Sequence, residues 1–311
     1  MHQKTARRLS QVFSRSPELT INECSRLALL SDCHRGTGTW ADNFLNNQNL
    51  FFAALTYYYQ NDFTYIELGD GDELWENRRL DQIISIHSNA YWLMAQFQKK
   101  GRFHMLYGNH DRVKEVPAYT AAHCQSCSVL RCRGADCKSG VIRKQGAEQS
   151  IPELICHEGL ILKMKETGDS LFLVHGHQGD LLNDSLWKLA RFLVRYIWKP
   201  LELSGVHDPT SAARNYRKKD KVERRLAEWA KENRQPLICG HTHRPVLPKP
   251  GEGLYFNDGS CVHPRCITAL EIRDGSISLI KWALKTKADR TLYVGREVLE
   301  GPYPLSAYFQ A

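Results

Sequence analysis

Seven side chains able to hold divalent cations stand just beyond five short apolar runs: Asp32, His34, Asp70, Asn109, His175, His241 and His243. Arg26–Leu30 leads into Ser31-Asp32-Cys33-His34, Phe63–Leu68 into Gly69-Asp70, and Phe103–Tyr107 into Gly108-Asn109-His110-Asp111. Leu171–Val174 leads into His175-Gly176-His177, and Pro236–Cys239 into Gly240-His241-Thr242-His243. An Asp-x-His pair on its own is common by chance; five polar clusters in succession, each closing an apolar run, are not. Imidazole and carboxylate donors without thiolate suit Mn, Fe, Zn or similar divalent ions. A carboxylate has two oxygens with which to bridge two ions, and Asp70 is the best placed to do so. Two ions held about 3.5–4 Å apart clamp both the nucleophile and the phosphoryl oxygens of an in-line displacement, and they lower the pKa of bound water. The chemistry expected is phosphoester hydrolysis, with a hydroxide attacking phosphorus.

Residues beside these donors complete the expectation. His110 follows Asn109 and is the candidate general acid to the leaving oxygen, with Asp111 placed to orient its ring. Arg35 follows His34 and is a candidate bidentate grip on a substrate phosphate, the alternative being a surface residue or a salt bridge to Asp72 or Glu73. His177 is the alternative to His175 as a ligand; His175 lies nearer its run and is preferred.

Elements that could position such residues follow from the periodicity. Apolar runs of four to six residues read as buried strands. Helical patterns fill the gaps at about 41–60, 79–99 and 184–198. Alternation of this kind predicts a layered α/β domain whose ligands sit beyond the carboxyl ends of the strands. Two hairpins are expected: Leu160–Lys165 with Leu171–Val174, and Thr268–Ile272 with Ser276–Trp282 across Asp274-Gly275. The stretch 181–234 interrupts the strands and reads as a helical lid inserted in one catalytic domain spanning 1–311. Its first half has helical apolar spacing at Leu186, Leu189, Phe192, Leu193, Tyr196 and Ile197; its second half carries Arg214, Arg217, Lys218, Lys219, Lys221, Arg224 and Arg225. The basic half reads as a solvated face or as a steering surface for polyanions, nucleotide diphosphates or nucleic acid. The apolar half packs on the body, lines an acyl pocket or touches a membrane surface.

The five clusters resemble, in order, the blocks of the calcineurin-like metallophosphoesterase superfamily over roughly Arg26 to Trp282. The resemblance implies a β-sandwich flanked by helices. It implies one metal held by Asp32, His34, Asp70 and His243, and a second held by Asp70, Asn109, His175 and His241. Gly69-Asp70-x-x-Glu73-x-Trp75 and the basic-apolar insertion resemble the UDP-diacylglucosamine pyrophosphohydrolase group. His110, where that group usually has Arg, and His177, where it has Asp, depart from it. The substrate class expected is a small or lipid-linked nucleotide, in preference to nucleic acid; the alternative is a serine/threonine protein phosphatase or a nuclease using the same metals.

Composition sets the outer limits. At 311 residues, with 42% hydrophobic and 24% charged side chains, the chain has ordinary globular usage. It has no long uncharged apolar stretch to span a membrane. The net charge of +8 suits an anionic partner. Met1–Ser16 is basic and polar, without the apolar core of a secretory signal, so reduced thiols and a cytoplasmic location are expected. Cys124, Cys127, Cys132 and Cys137 have zinc-knuckle-like spacing and could close a tetrahedral zinc site, the alternative being a loop of free thiols.

Overall fold

The computed structural model describes residues 2–116, 119, 155–180, 184, 187–198 and 216–309; the four-cysteine run lies outside them. Two sheets form the centre. The larger is ordered β12-β11-β10-β2-β3-β4-β5, where β2 is Leu27–Leu30, β3 Thr64–Leu68, β4 Phe103–Leu106, β5 Cys156–His157, β10 Cys266–Arg273, β11 Ser276–Thr286 and β12 Leu292–Pro304. The smaller is ordered β1-β6-β7-β8-β9, where β1 is Glu18–Ile21, β6 Gly159–Met164, β7 Ser170–Val174, β8 Leu237–Cys239 and β9 Tyr255–Asn257. Both hairpins form as expected, β6 with β7 and β10 with β11.

Burial of two-sided strands explains the layering. Leu29, Ile66, Leu68, Leu106, Leu162, Leu173 and Ile238 meet between the sheets. Ala28, Leu30, Tyr65 and Met105 point outward from the larger sheet against α2 (Gln48–Gln60), α3 (Leu80–Ile86) and α4 (Ser88–Lys99). Alternate residues of one strand thus serve two cores, which is why these strands read as continuous apolar runs. On the smaller sheet, Phe172, Val174 and Leu237 pack under α1 (His2–Phe13) and a helix at Tyr216–Glu232. The architecture is a β-sandwich flanked by helices.

The expected insertion divides in two. Helix α5 (Trp187–Leu193) and a π-helical turn at Val194–Trp198 leave Leu189, Phe192 and Tyr196 half exposed. Helix α6 (Tyr216–Glu232) instead buries Val222, Leu226, Trp229 and Ala230 against the body. A four-residue apolar spacing runs beneath the basic surface of this helix and anchors it to the smaller sheet.

Candidate metal centre

Strands β2, β3 and β4 lie parallel in one sheet and β7 and β8 lie parallel in the other, so their carboxyl ends open on one edge of the sandwich. The chain must turn sharply there to present its donors. Asp32, His34, Asp70, His241 and His243 all adopt left-handed backbone, with φ between 48° and 67°. Such conformations cost energy in a non-glycine residue and persist where the surroundings enforce them, commonly at functional sites. The glycines preceding the donors are obligatory. A Cβ on Gly108 would lie 2.2 Å from Asp70 Oδ1, and one on Gly240 would lie 2.6 Å from Asp32 Oδ2.

Each aspartate commits one oxygen to the protein and leaves the other free. Asp32 Oδ2 accepts the His241 backbone N–H at 2.8 Å and the Ser31 hydroxyl at 2.5 Å. Its Oδ1 faces Nε2 of His243, His34 and His175 at 3.0, 3.7 and 3.9 Å. Asp70 Oδ1 accepts the His110 backbone N–H at 2.7 Å, while Oδ2 lies 3.0 Å from His175 Nε2 and 3.9 Å from His34 Nε2. A single oxygen of Asp70 thus sits between a histidine of each expected metal. Although burial opposes ionisation, the imidazoles of His243 and His175 hold the Asp32 carboxyl well below the usual range, and those of His175 and His110 do the same for Asp70. Burial and the neighbouring His175 push His241 down to about 3, leaving it a neutral donor.

Outer partners fix the ring orientations. His175 Nδ1 donates to the Leu68 carbonyl at 2.9 Å and His34 Nδ1 lies 3.0 Å from Glu73 Oε2, so Nε2 of both turns to the centre. Ser31 Oγ is 2.7 Å from Asp258 Oδ1. Burial and the Asp32 charge raise the Asp258 carboxyl well above its ordinary value. The Ser31 hydroxyl thus lies between Asp32 and Asp258 and links the two carboxyls.

The donor set suits a divalent metal. Asp32 Oδ1, His34 Nε2, Asn109 Oδ1, His175 Nε2 and His241 Nε2 are all buried and lack a hydrogen-bond partner. Orphaned buried polar atoms are costly, and here those of His34 and His175 lie within 4 Å of Asp32 Oδ1. Asp32, His34 and His243 can place one ligand atom each within 4.8 Å of one another, as can Asp70, His175 and His241. These are members of the two expected sets.

His110 borders the same space. Its ring stacks on Trp75 at a centroid distance of 4.2 Å and meets His34 edge-on at 4.7 Å. Nδ1 is held by Glu73, at 2.9 and 2.7 Å from the two carboxylate oxygens, leaving Nε2 as the nitrogen available to a ligand. Asp111, expected to orient this ring, does not. It accepts the backbone N–H groups of Gly108, Gly71 and Asp70 at 2.7–3.3 Å and the Lys114 ammonium at 2.7 Å. Glu73 has the orienting part.

Arg35 is also corrected. Its guanidinium is fully buried, forms a bidentate pair with Glu67 at 2.8 and 2.9 Å, and reaches Asp72 at 2.8 Å. It has no face left for a substrate phosphate. His177 is buried, its ring 5.7 Å from that of His175, and it groups with Glu158 and Asp184. Trp75 entered the sequence reading only through a resemblance, and Glu73 through that and as a salt-bridge alternative for Arg35; the parts of Glu73 as orienting group and of Asp258, Ser31 and Lys114 were missed. The proximity of Asp72 and Glu73 to Asp70 was the available signal for the first of these.

The family model of the calcineurin-like phosphoesterase superfamily domain matches residues 26–272, and the chain belongs to that superfamily. No curated protein matches it. Two similar solved structures are an archaeal phosphodiesterase (13% identity, 88% of this chain and 99% of that one, TM-score 0.34) and a candidate 5′-nucleotidase from Staphylococcus aureus with alpha-ketoglutarate (12% identity, 92% and 57%, TM-score 0.34). Family membership and the donor set define a metal-dependent phosphoester hydrolase. Among the described residues, no helix is long and apolar enough to cross a membrane.

Proposed function

We propose that the protein hydrolyses a phosphate ester or pyrophosphate bond of a small or lipid-linked nucleotide at a two-metal centre. Asp32, His34, Asp70 and His243 hold one divalent ion of the Mn, Fe or Zn class, and Asp70, Asn109, His175 and His241 hold the other. The observation that carries this reading is the convergence of Asp32, Asp70 and the imidazoles of His34, His175, His241 and His243 on one space, several of their buried donor atoms lacking a hydrogen-bond partner. Bound there, the ions supply an activated water and neutralise phosphoryl oxygens.

The chain's own groups do the rest. Asp32 and Asp70 fix the cage through their second oxygens, bound to backbone N–H groups. Leu68 and Glu73 set the tautomers of His175 and His34. His110, held between Glu73 and Trp75, presents Nε2 to the leaving oxygen and delivers a proton to it.

The substrate class is supported by the apolar helix beside this histidine. Arg195 ties the 187–198 segment to the carbonyls of Leu74 and Trp75 at 2.6 and 2.8 Å, directly after Glu73. The segment holds Leu189, Phe192 and Tyr196 half exposed close to the reacting centre. An acyl chain laid on them would remove apolar surface from water.

The test is a screen with the Mn-loaded protein: an aryl phosphate, its diester, a nucleotide diphospho-sugar, and the same sugar carrying an acyl chain. The expected result is hydrolysis of a phosphoester, with a preference of at least about tenfold in kcat/KM for the acylated compound, the equivalent of about 1.4 kcal/mol. Equal rates with and without the acyl chain would remove the lipid-linked reading. Absence of any phosphoester hydrolysis would remove the metal-centre reading.

A further inference from the structure

The larger sheet ends on an edge with no pairing strand among the described residues. β12 bonds to β11 and to nothing beyond it. It runs 13 residues, but Pro302 and Pro304 lack amide donors, so the stretch able to accept another strand is 292–300. A long apolar edge of this kind is a template for further pairing unless it is covered.

The two faces of this edge differ. On the face continuous with the α2 core, Leu284 is 59% exposed, Leu292 66% and Val298 43%. In register these belong to one row of side chains, Leu284 opposite Val294, Thr286 opposite Leu292 and Ile280 opposite Val298. The opposite face is polar: Lys285 lies across from Tyr293, and its ammonium reaches Glu297 at 3.1 Å.

We propose that β12 pairs antiparallel with β12 of a second copy of this chain, about a two-fold axis through Gly295. The argument is self-complementarity. A two-fold perpendicular to the sheet keeps each face on its own side, so residues directly opposite must have the same parity. With Gly295 on the axis, Leu292 meets Val298 of the second copy, and Leu284 lies diagonal to that pair. On the other face Glu297 meets Tyr293 of the second copy, beside that copy's Lys285. Leu292 and Val298 then meet, Val294 faces the stem of Arg296, whose guanidinium is held by Glu271 of its own chain, and each Glu297 meets a hydroxyl and an ammonium. An axis through Arg296 would instead set Arg296 against itself and Leu292 against Glu300. The other free end of the sheet offers no such surface: β5 is two residues long. Pairing makes one continuous sheet across two chains and leaves both metal centres, at the carboxyl ends of the inner strands, outside the interface.

Light scattering on the full-length, metal-loaded protein at about 50 µM, where a dimer of micromolar Kd is largely assembled, reads the mass directly. The expected value is twice the 35.7 kDa of the chain. Leu292→Lys with Val298→Lys halves it while phosphoesterase activity persists. A wild-type monomer, or a folded double variant that stays dimeric, overturns the proposal. Register is read by oxidative cross-linking against a wild-type control. Gly295→Cys places two thiols across the axis at a Cα separation of about 4.5–5.5 Å, within disulfide reach, and forms a covalent dimer; Thr291→Cys does not. The reverse pattern overturns the axis through Gly295.

Discussion

Two buried charged clusters interleave along the same loops, and they differ in how their polar atoms are satisfied. Beneath the centre, Arg35 and Lys114 meet Glu67, Asp72 and Asp111. Lys114 bridges Asp72 and Asp111 at 2.7 Å each, Tyr65 donates to Glu67 at 2.8 Å and Tyr91 to Asp72 at 2.5 Å. Above it, Asp32 and Asp70 are buried as deeply among their histidines, yet five donor atoms lack a hydrogen-bond partner. The lower cluster is complete as it stands and fixes the loops in place. The upper one gathers carboxylate and imidazole groups of the kind that coordinate a divalent ion. Arg35 and His34 are neighbours in sequence and belong to opposite kinds of site.

Substitutions sharpen this contrast. In the upper cluster, His110→Asn lowers kcat by about 10²–10⁴-fold with metal content unchanged, as expected for loss of a positioned proton donor; steady-state kinetics with metal analysis would check both. A smaller drop would return His110 to a supporting part. In the lower cluster, Arg35→Met strands Glu67 and Asp72 and destabilises the fold by about 3–5 kcal/mol, read by denaturant unfolding. If that variant were as stable as wild type but failed to bind phosphate, Arg35 would belong to the substrate site after all. Glu73→Gln touches the border between the two. An amide cannot accept from both imidazoles as the carboxylate does, so metal affinity or activity falls by about 10–100-fold. The metal-free variant should also be less stable than wild type at neutral pH, read by denaturant unfolding, since the carboxylate's pairing with both imidazoles is lost.

Glu73 also carries a pH expectation. Burial raises its pKa, but His110 and His34 outweigh it and hold the carboxyl at about 2. A depressed carboxylate pKa stabilises the fold above its unfolded value and loses that contribution as pH falls toward the folded one. The metal-free protein should therefore lose stability between about pH 4.5 and pH 2, and Glu73→Gln should flatten that part of the profile.

The candidate cage was readable as a pattern in the sequence because its donors stand within four residues of the ends of apolar strands, and those ends open on one edge of the sandwich. The strand–helix alternation and both hairpins were legible from local signals, periodicity and the turns at Gly168-Asp169 and Asp274-Gly275; the sandwich was expected only from the family resemblance. The orienting and supporting groups were not. Asp111 sits beside His110 in the chain, but its carboxylate turns inward to three backbone N–H groups and Lys114, while Glu73 comes from another loop to take the imidazole. Adjacency in sequence does not give side-chain direction at a turn. Arg35 misled for a related reason: its partner Glu67 lies inside β3, in a run that reads as wholly apolar core. In the 181–234 segment, the dense charge on α6 hid the spacing of Val222, Leu226, Trp229 and Ala230.

The account rests most directly on metal stoichiometry. Elemental analysis of the reconstituted protein should find about two divalent ions per chain, and Asp70→Ala, which removes the shared ligand, should retain fewer than about one while remaining folded. A wild-type protein that binds no divalent ion, or an Asp70→Ala variant with the full complement, would contradict it.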